Sequence, residues 1–303
     1  MPGPVETTRR PLAGDLGSLA ICSLIWGTTW RAIKFEVGAV PAIESIVYRF
    51  ALASLLLFGW CALTRQRVVL SPRQHLAVFA QGLCGFSIQY ACVYLAEERI
   101  ASGLVAVIFA ATAFINLIVF RLALRQRAAP LAWAGAALGL LGVAAMSLPV
   151  LAGTGGGAAV GLALAAAGVL AAALGNLFAS RAQAAGVATA PSAAWAMGYG
   201  AALAAAWTVL SGQPWRFEPT PTYVGALVYL AVLGSVVAFL VFYSLARRRG
   251  YSFASYVAAL TPPAAMAISS VFESVHWGVS ALAGLALVIA GQMLMIRSLR
   301  AAV

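Results

Sequence analysis

The residues best suited to chemistry in this chain are polar and aromatic side chains inside long apolar runs. Arg49 lies about seven residues into the run that begins near residue 42, too deep for a loop charge. Charged residues within membrane segments mark functional sites or internal ion pairs. Glu44 is five residues away and off the i,i+4 face, so it is a poor partner. Two interpretations stay open: a clamp for a substrate carboxylate, or a structural bond to carbonyls of a neighbouring helix.

Polar and aromatic side chains occur at corresponding depths of several runs, where lipid-facing positions would be Leu, Val or Ala. Such a set offers ring faces for apolar groups and a few hydrogen bonds to orient a ligand, although any single member is equally suited to helix packing. The predicted cavity residues are Trp26, Thr28, Tyr48, Arg49, Gln89, Tyr90, Tyr94, Asn176, Trp195, Tyr199, Phe239, Tyr243 and Tyr256. Trp30 and Arg31 are instead expected to be interfacial anchors at a helix end.

Catalytic and metal-binding constellations are not evident. His75 and His276 lie apart at segment ends, and the four cysteines fall inside apolar runs without paired spacing. We therefore expect no metal site, no cofactor, no disulfide and no enzymatic activity. An intramembrane enzyme is the alternative from another functional class.

Acidic residues are confined to the ends of the apolar runs. Proton-coupled carriers usually place a carboxylate or histidine in the transport path. The sequence therefore favours uncoupled, facilitated transport, with coupling through an acid at the rim as the alternative.

The elements that hold these residues must be membrane helices. The chain has 303 residues, of which 63% are hydrophobic and only 9% charged, with a mean hydropathy of +0.94. One globular core cannot bury this excess, so lipid must solvate the remainder. The predicted fold is an all-α integral membrane protein, with the lipid bilayer as its surroundings.

Breaks at Pro, Gly and charge clusters divide the chain into ten candidate spans. These are residues 12–34, 42–63, 74–96, 100–122, 130–149, 157–183, 190–211, 221–246, 251–273 and 277–299. With the N-terminus in the cytoplasm, 14 of the 19 Lys and Arg residues fall on the cytoplasmic side, as membrane topology requires. Both termini are therefore predicted to be cytoplasmic, and the net charge of +11 reflects topology, not nucleic-acid binding.

When the sequence is aligned with itself at an offset of 150 residues, some arginine, proline and serine positions of the two halves coincide. This offset pairs Arg31 with Arg181, Pro41 with Pro191, and Ser102 with Ser252. Five helices per half, an odd number, make the repeats inverted, as in alternating-access transporters with a midplane site. The predicted organisation is a tail at 1–11, a first repeat at 12–150, and a second repeat at 151–303.

Several motifs together resemble the ten-helix EamA-type members of the drug/metabolite transporter superfamily. The features are Trp26-Gly27-Thr28 in helix 1, Pro41 and Arg49 around helix 2, Pro262 and Glu273 in helix 9, and glycine-rich helices 5 and 10. The first half departs from the pattern, with Thr112 and Ala123 where the family often has proline and an acid. The resemblance covers nearly the whole chain and implies a secondary transporter, commonly an exporter of amino acids or other small metabolites.

Glycine and proline positions give two structural predictions. Gly161, Gly168 and Gly175 form a stripe for close helix packing, whereas Gly135 and Gly139 suit either packing or a homodimer. Pro262 and Pro263 free carbonyls near Ala258 and Ala259 and predict a kink that acts as a hinge.

The sequence thus predicts a bacterial inner-membrane exporter of small metabolites, most of all amino acids including aromatic ones. It would work by alternating access through a cavity between the repeats. A broad-specificity drug or cation exporter is the alternative within transport, disfavoured by the lack of an acid among the aromatic residues.

Overall fold

The computed structural model describes residues 13–126, 128–153, 156–212, 214–254 and 257–301, and these are almost entirely helical. Within hydrocarbon every backbone polar group needs an internal partner, which is why the apolar runs form helices. The helices are helix 1 (Ala13–Glu36), helix 2 (Ala42–Leu63), helix 3 (Pro72–Glu97), helix 4 (Ser102–Leu124), helix 5 (Pro130–Gly153), helix 6 (Gly156–Ala184), helix 7 (Thr189–Leu210), helix 8 (Pro221–Arg249), helix 9 (Tyr251–Ala254 and Val257–Phe272) and helix 10 (Val279–Ala301). The predicted all-α fold of ten helices is confirmed.

Seven of these helices, in the part of the chain that is described, are long and apolar enough to cross a membrane. They are helices 2 to 8. Helix 10 contributes a shorter apolar stretch, Val279–Met295. Helix 1 carries four charged residues, and helix 9 contains Pro262 and Pro263.

Helices 3 and 8 show the internal repeat in their backbone. Each begins with a hydroxyl N-cap followed by proline: the Ser71 side chain accepts from the Gln74 N–H, and the Thr220 side chain accepts from the Tyr223 N–H. Each then passes through a six-residue π-helical segment, Leu83–Ile88 in helix 3 and Val232–Val237 in helix 8. Both features recur after 149 residues, so the offset of 150 is wrong by one residue within this helix pair.

The contacts between helices follow a pseudo-two-fold arrangement. Helix 2 packs against helix 7, and helix 5 against helix 10, which are pairs of equivalent helices. Helix 1 contacts helices 8 and 9, and its equivalent, helix 6, contacts helices 3 and 4. Each repeat therefore packs mainly against the other, and the centre of the molecule lies between the two repeats.

Glycines allow the closest of these contacts. A Cβ atom on Gly291 would lie 2.5 Å from the Gly135 carbonyl oxygen and 2.7 Å from the Gly139 nitrogen. Helices 5 and 10 therefore use this glycine face within one chain. The homodimer stays a prediction, but it would need another surface.

The glycine stripe of helix 6 also serves helix packing, as predicted. A Cβ on Gly161 would meet Ile100 at 3.1 Å, and one on Gly175 would meet the Gly85 backbone at 2.8 Å. Gly85 lies in the π-helical segment of helix 3. The stripe therefore brings helix 6 onto helix 3 beside the centre of the bundle.

Candidate functional site

A central cavity with a volume of about 140 Å³ lies between the two repeats. Helices 1, 2, 3 and 4 of the first repeat and helices 6, 8 and 9 of the second contribute to its wall. Seven of the predicted residues lie on this wall: Trp26, Arg49, Gln89, Tyr90, Asn176, Phe239 and Tyr243. Residues that are distant in sequence are thus brought together at the interface of the repeats.

One part of the wall is aromatic. The Trp26 ring lies 5.2 Å from the Phe239 ring and 5.3 Å from the Phe242 ring, between centroids. Its indole N–H donates to the Gly234 carbonyl at 3.2 Å. That carbonyl belongs to the π-helical segment of helix 8, where backbone hydrogen bonds join residues five apart instead of four. The bond fixes the orientation of Trp26 against helix 8.

Arg49 is the one wall residue, among those described, with a side chain that is ionised at any ordinary pH. It is 1% exposed. Its Nε donates to Ser235 Oγ at 3.0 Å, and its Nη1 donates to the Tyr94 hydroxyl at 3.4 Å. The guanidinium also lies over the Tyr90 ring, 4.7 Å from the centroid. Arg49 therefore ties helices 2, 3 and 8 together while it gives the wall a positive charge.

Tyr94 and Glu36 extend this network away from the cavity. The Tyr94 hydroxyl donates to Glu36 Oε2 at 2.6 Å, and both residues are fully buried. Tyr94 thus lies behind the wall and not on it, because its hydroxyl is drawn between Arg49 and Glu36. The sequence placed Glu36 at a helix end, which is correct, but its burial was not expected.

Helix 4 is interrupted where it meets the cavity, and helix 9 contains two prolines close to it. Helix 4 is interrupted at Ala111, between Ser102–Ala110 and Thr112–Leu124. Thr112 is 150 residues before Pro262, which is inside helix 9. Thr112 and Ala258 both line the cavity. The two repeats therefore bring equivalent helices to the cavity, with proline in only one of them.

Amide side chains supply further polar groups to the wall. Asn176 Nδ2 donates to Asn116 Oδ1 at 3.5 Å, which links helix 6 to helix 4, and Gln89 lies on the wall from helix 3. Amides can donate and accept. The wall therefore combines aromatic faces with neutral hydrogen-bonding groups and one cation.

Four more of the predicted residues lie elsewhere. Thr28 is exposed and bonds to the Ile25 carbonyl and the Tyr229 hydroxyl. Tyr48 donates to the Arg216 carbonyl at 2.8 Å in the loop between helices 7 and 8. Trp195 and Tyr199 stack on each other near His75, at the end of the bundle where helix 3 begins. Tyr256 lies outside the described residues.

The expected interfacial anchor Trp30 is on the cavity wall instead. Its ring lies 5.3 Å from the Phe109 ring. Trp26, Thr29, Trp30 and Ile33 all line the cavity at the i, i+3, i+4, i+7 spacing of one helix face. That spacing could have identified Trp30 and excluded Thr28, which is two residues from Trp26 and so points elsewhere.

Charged groups join the helices at both ends of the bundle. At one end, Asp15 of helix 1 pairs with Arg249 of helix 8 at 2.7 Å. At the other end, the Lys34 ammonium donates to the carbonyls of Glu97 and Ile100, and Glu273 accepts from the Ser102 hydroxyl and N–H. Each end of helix 1 is therefore tied to other helices by charged groups.

Metal ligation is not supported by the described part of the chain, where no group of three His, Cys, Asp or Glu side chains could hold an ion. Cys22, Cys61, Cys84 and Cys92 are free. The wall residues therefore suit binding by hydrogen bonds, ring contacts and one positive charge.

Comparison with known proteins identifies this architecture. The sequence matches the EamA-like transporter family twice, over residues 15–148 and 159–297. The chain belongs to the EamA-like transporter family. The two matches correspond to the two five-helix repeats, and this EamA protein is accordingly a multi-pass membrane transporter.

Individual relatives of this EamA transporter are described mainly as transporters. The uncharacterized inner membrane transporter YedA of Escherichia coli K12 is 27% identical over 267 residues, covering 86% of this chain and 83% of YedA. Protein PagO of Salmonella typhimurium is 32% identical over 110 residues, and an uncharacterized transporter of Archaeoglobus fulgidus is 30% identical over 131 residues. These two matches span only 36% and 46% of the relatives' lengths.

A solved crystal structure shares the fold of this EamA transporter. The two superpose with a TM-score of 0.72 over 96% of this chain and 99% of the other. Their sequences are 18% identical, so the likeness concerns the fold alone.

Proposed function

We propose that this protein exports small metabolites, most of all amino acids including aromatic ones, by alternating access through the central cavity. The observation that carries the proposal is the wall itself. It joins aromatic rings from helices 1, 3, 4 and 8 to one buried cation, Arg49, and contains no acidic residue among the described lining residues. Rings suit an aromatic side chain, and the cation favours a carboxylate.

The size of the cavity supports a small substrate. A buried water needs about 10–15 Å³ on the same volume scale, so 140 Å³ holds about ten non-hydrogen atoms. An amino acid is of this size. Larger aromatic members would need the wall to move, as alternating access provides.

The position of the cavity supports alternating access. It lies between inverted repeats, where rocking of one repeat against the other changes the side to which it opens. The charged contacts at the two ends of helix 1 would then form and break in turn. The orientation expected from the basic residues places the Asp15–Arg249 pair on the cytoplasmic side.

The hinge assigned to Pro262 and Pro263 belongs to the same proposal. Pro262 cannot bond to the Ala258 carbonyl, and Ala258 lies on the cavity wall. We expect Pro262→Ala to slow transport while substrate affinity changes less than twofold, because a regular helix resists bending. Transport assays and binding to the detergent-solubilised protein measure the two effects, and an unchanged transport rate would rule out the hinge.

A cation or drug exporter is the competing proposal within transport. Such a carrier would need an acid facing the ring-lined cavity, whereas Glu36 lies behind Tyr94 and the described wall residues include no acid. An intramembrane enzyme would need a nucleophile and base at one depth, and the described wall offers no such pair.

Counterflow into proteoliposomes tests the proposed function. Liposomes preloaded with unlabelled phenylalanine, tryptophan, threonine or a quaternary ammonium compound are given the labelled form outside, with and without a proton gradient. The proposal expects flux of the amino acids and little flux of the cation. Flux of the cation alone would support the competing proposal, and flux of none of them would refute both.

A further inference from the structure

The buried polar atoms of two cavity-lining residues have no hydrogen-bond partner among the described residues. They are the indole nitrogen of Trp30 and the hydroxyl of Thr112. A buried donor left unpaired costs about 1–3 kcal/mol, so such groups usually have a partner. A ligand in the cavity can provide one.

Trp30 is an exception among the partly buried tryptophans. The indole N–H groups of Trp26, Trp195 and Trp277 each donate to a main-chain carbonyl, at 3.2, 2.9 and 3.1 Å respectively. The Trp30 N–H does not, although its ring packs closely against Phe109. An indole N–H can only donate. Whatever satisfies Trp30 must therefore offer an acceptor atom.

Thr112 differs from the three buried helical threonines. The hydroxyls of Thr29, Thr208 and Thr261 each donate to a carbonyl one turn earlier in their own helix. Thr112 follows the interruption at Ala111, and its hydroxyl makes no such bond. The break in helix 4 therefore leaves the hydroxyl of a cavity-lining residue without a hydrogen-bond partner among the described residues.

The two residues are connected through Phe109 of helix 4. Phe109, which touches the Trp30 ring, is three residues before Thr112 on helix 4, and all three line the cavity. Arg49 adds a buried positive charge to the same wall. Two unpaired donors in a positive field are complementary to the oxygens of an anion.

We propose that Trp30 and Thr112 bind the carboxylate of the substrate and thereby determine which compounds are carried. This inference rests on the proposed function and narrows it. The substrate class is small carboxylic acids, amino acids included, and the carboxylate is the required group. An aromatic amine without a carboxylate offers no acceptor to the Trp30 N–H and is rejected, because such a site discriminates against compounds that lack its hydrogen-bonding group.

Competition against counterflow of labelled phenylalanine tests this inference in the reconstituted full-length protein. The competitors are 3-phenylpropionate, which keeps the carboxylate, and phenethylamine, which lacks it. For the wild-type protein we expect phenylpropionate to compete and phenethylamine to compete at least about 10-fold less well. Phenethylamine that competes as well as phenylpropionate would overturn the inference.

Two conservative substitutions locate the site. Trp30→Phe keeps a ring against Phe109 without the N–H, and Thr112→Val keeps the shape without the hydroxyl. Each is expected to weaken competition by phenylpropionate about 10- to 100-fold, the range for a lost hydrogen bond to a charged group, and to leave phenethylamine nearly unchanged. The preference for phenylpropionate over phenethylamine should therefore be largely lost in both variants.

Matched controls separate recognition from folding. Trp277→Phe and Thr208→Val remove groups that bond within the protein and do not line the cavity, so the acid-to-amine preference should stay at the wild-type value. Melting temperatures in detergent verify that all four variants fold. Wild-type counterflow with an unchanged preference in Trp30→Phe and Thr112→Val would overturn this inference alone. Absence of wild-type counterflow would overturn the proposed function and this inference with it.

Discussion

Arg49 makes the structural bonds that one interpretation of its position in helix 2 suggested, and its role toward a substrate stays a prediction. Its Nε and Nη1 bond to Ser235 and Tyr94, which supports the structural role. It also lines the cavity, which gives the wall its positive charge. A buried guanidinium with two such bonds is held in one place, so we assign to Arg49 mainly the joining of helices 2, 3 and 8, with its charge acting on the substrate through space.

Arg49→Lys tests this division of roles. Lysine keeps the charge but loses the planar, multiple-donor geometry, so the melting temperature in detergent should fall by about 5 °C. The preference for carboxylates should persist. Tyr94→Phe, which removes the bonds to Arg49 and Glu36, is a comparison behind the wall and should also lower the melting temperature. A changed preference in Arg49→Lys at an unchanged melting temperature would indicate a direct carboxylate clamp.

At the residue scale, the sequence predicted which kinds of side chain avoid lipid better than it predicted where in the protein those side chains lie. Seven predicted residues share the cavity because polar and aromatic side chains in apolar helices avoid lipid. Trp195 and Tyr199 avoid lipid equally well in a separate cluster around His75. Side-chain type therefore predicts that a residue faces protein, but only the packing of helices determines which part of the protein it faces.

Helices 5 and 10 form a glycine-mediated pair that the sequence could not distinguish from a dimer interface. The contact is between backbones: a Cβ on Gly291 would lie 2.5 Å from the Gly135 carbonyl oxygen. Backbone atoms cannot rotate away as a side chain can. The packing of helices 5 and 10 should consequently be disrupted when a single methyl group is added at this contact.

Gly291→Ala should destabilise the protein by about 1–3 kcal/mol, the usual cost of overpacking. Gly59→Ala is the matched control, because Gly59 is also within a helix but has no atom within 4 Å of the added Cβ. Thermal unfolding in detergent should show a lower midpoint for Gly291→Ala and an equal or higher midpoint for Gly59→Ala. Equal midpoints for both variants would contradict the tight packing of helices 5 and 10.

At the element scale, helix positions were predictable and local irregularities were not. Each predicted span ends within four residues of an observed helix end, because apolar length and Pro or Gly breaks determine membrane spans. The π-helical segments of helices 3 and 8 and the break at Ala111 have no such marker. They arise where neighbouring helices meet, and tertiary contacts decide them.

The orientation of the whole molecule stays a prediction that rests on the distribution of its basic residues. We predict that the loop containing Arg67 is cytoplasmic and that the loop containing Phe217 is on the opposite side. In intact cells, a membrane-impermeant maleimide should label Phe217→Cys and should label Arg67→Cys only after permeabilisation. Labelling of Arg67→Cys in intact cells would reverse the topology and with it the proposed direction of transport.

The whole molecule is a transporter with a cavity between its repeats, and the sequence alone already indicated the repeat. The offset of 150 is one residue too long for helices 3 and 8, and the pairing of Thr112 with Pro262 stays a prediction. Matching Pro and Arg positions could give the approximate length of the repeat, but not the residue-by-residue alignment of individual helices. Domain limits at residues 150 and 151 stay a prediction.

The central claim is that the cavity carries a substrate between two alternately exposed states. Counterflow of labelled phenylalanine into proteoliposomes preloaded with unlabelled phenylalanine tests it most directly. A carrier predicts a transient accumulation of label above its equilibrium level, because each reorientation exchanges one substrate for another. A monotonic approach to equilibrium, as through a pore, or uptake equal to that of protein-free liposomes would contradict the claim.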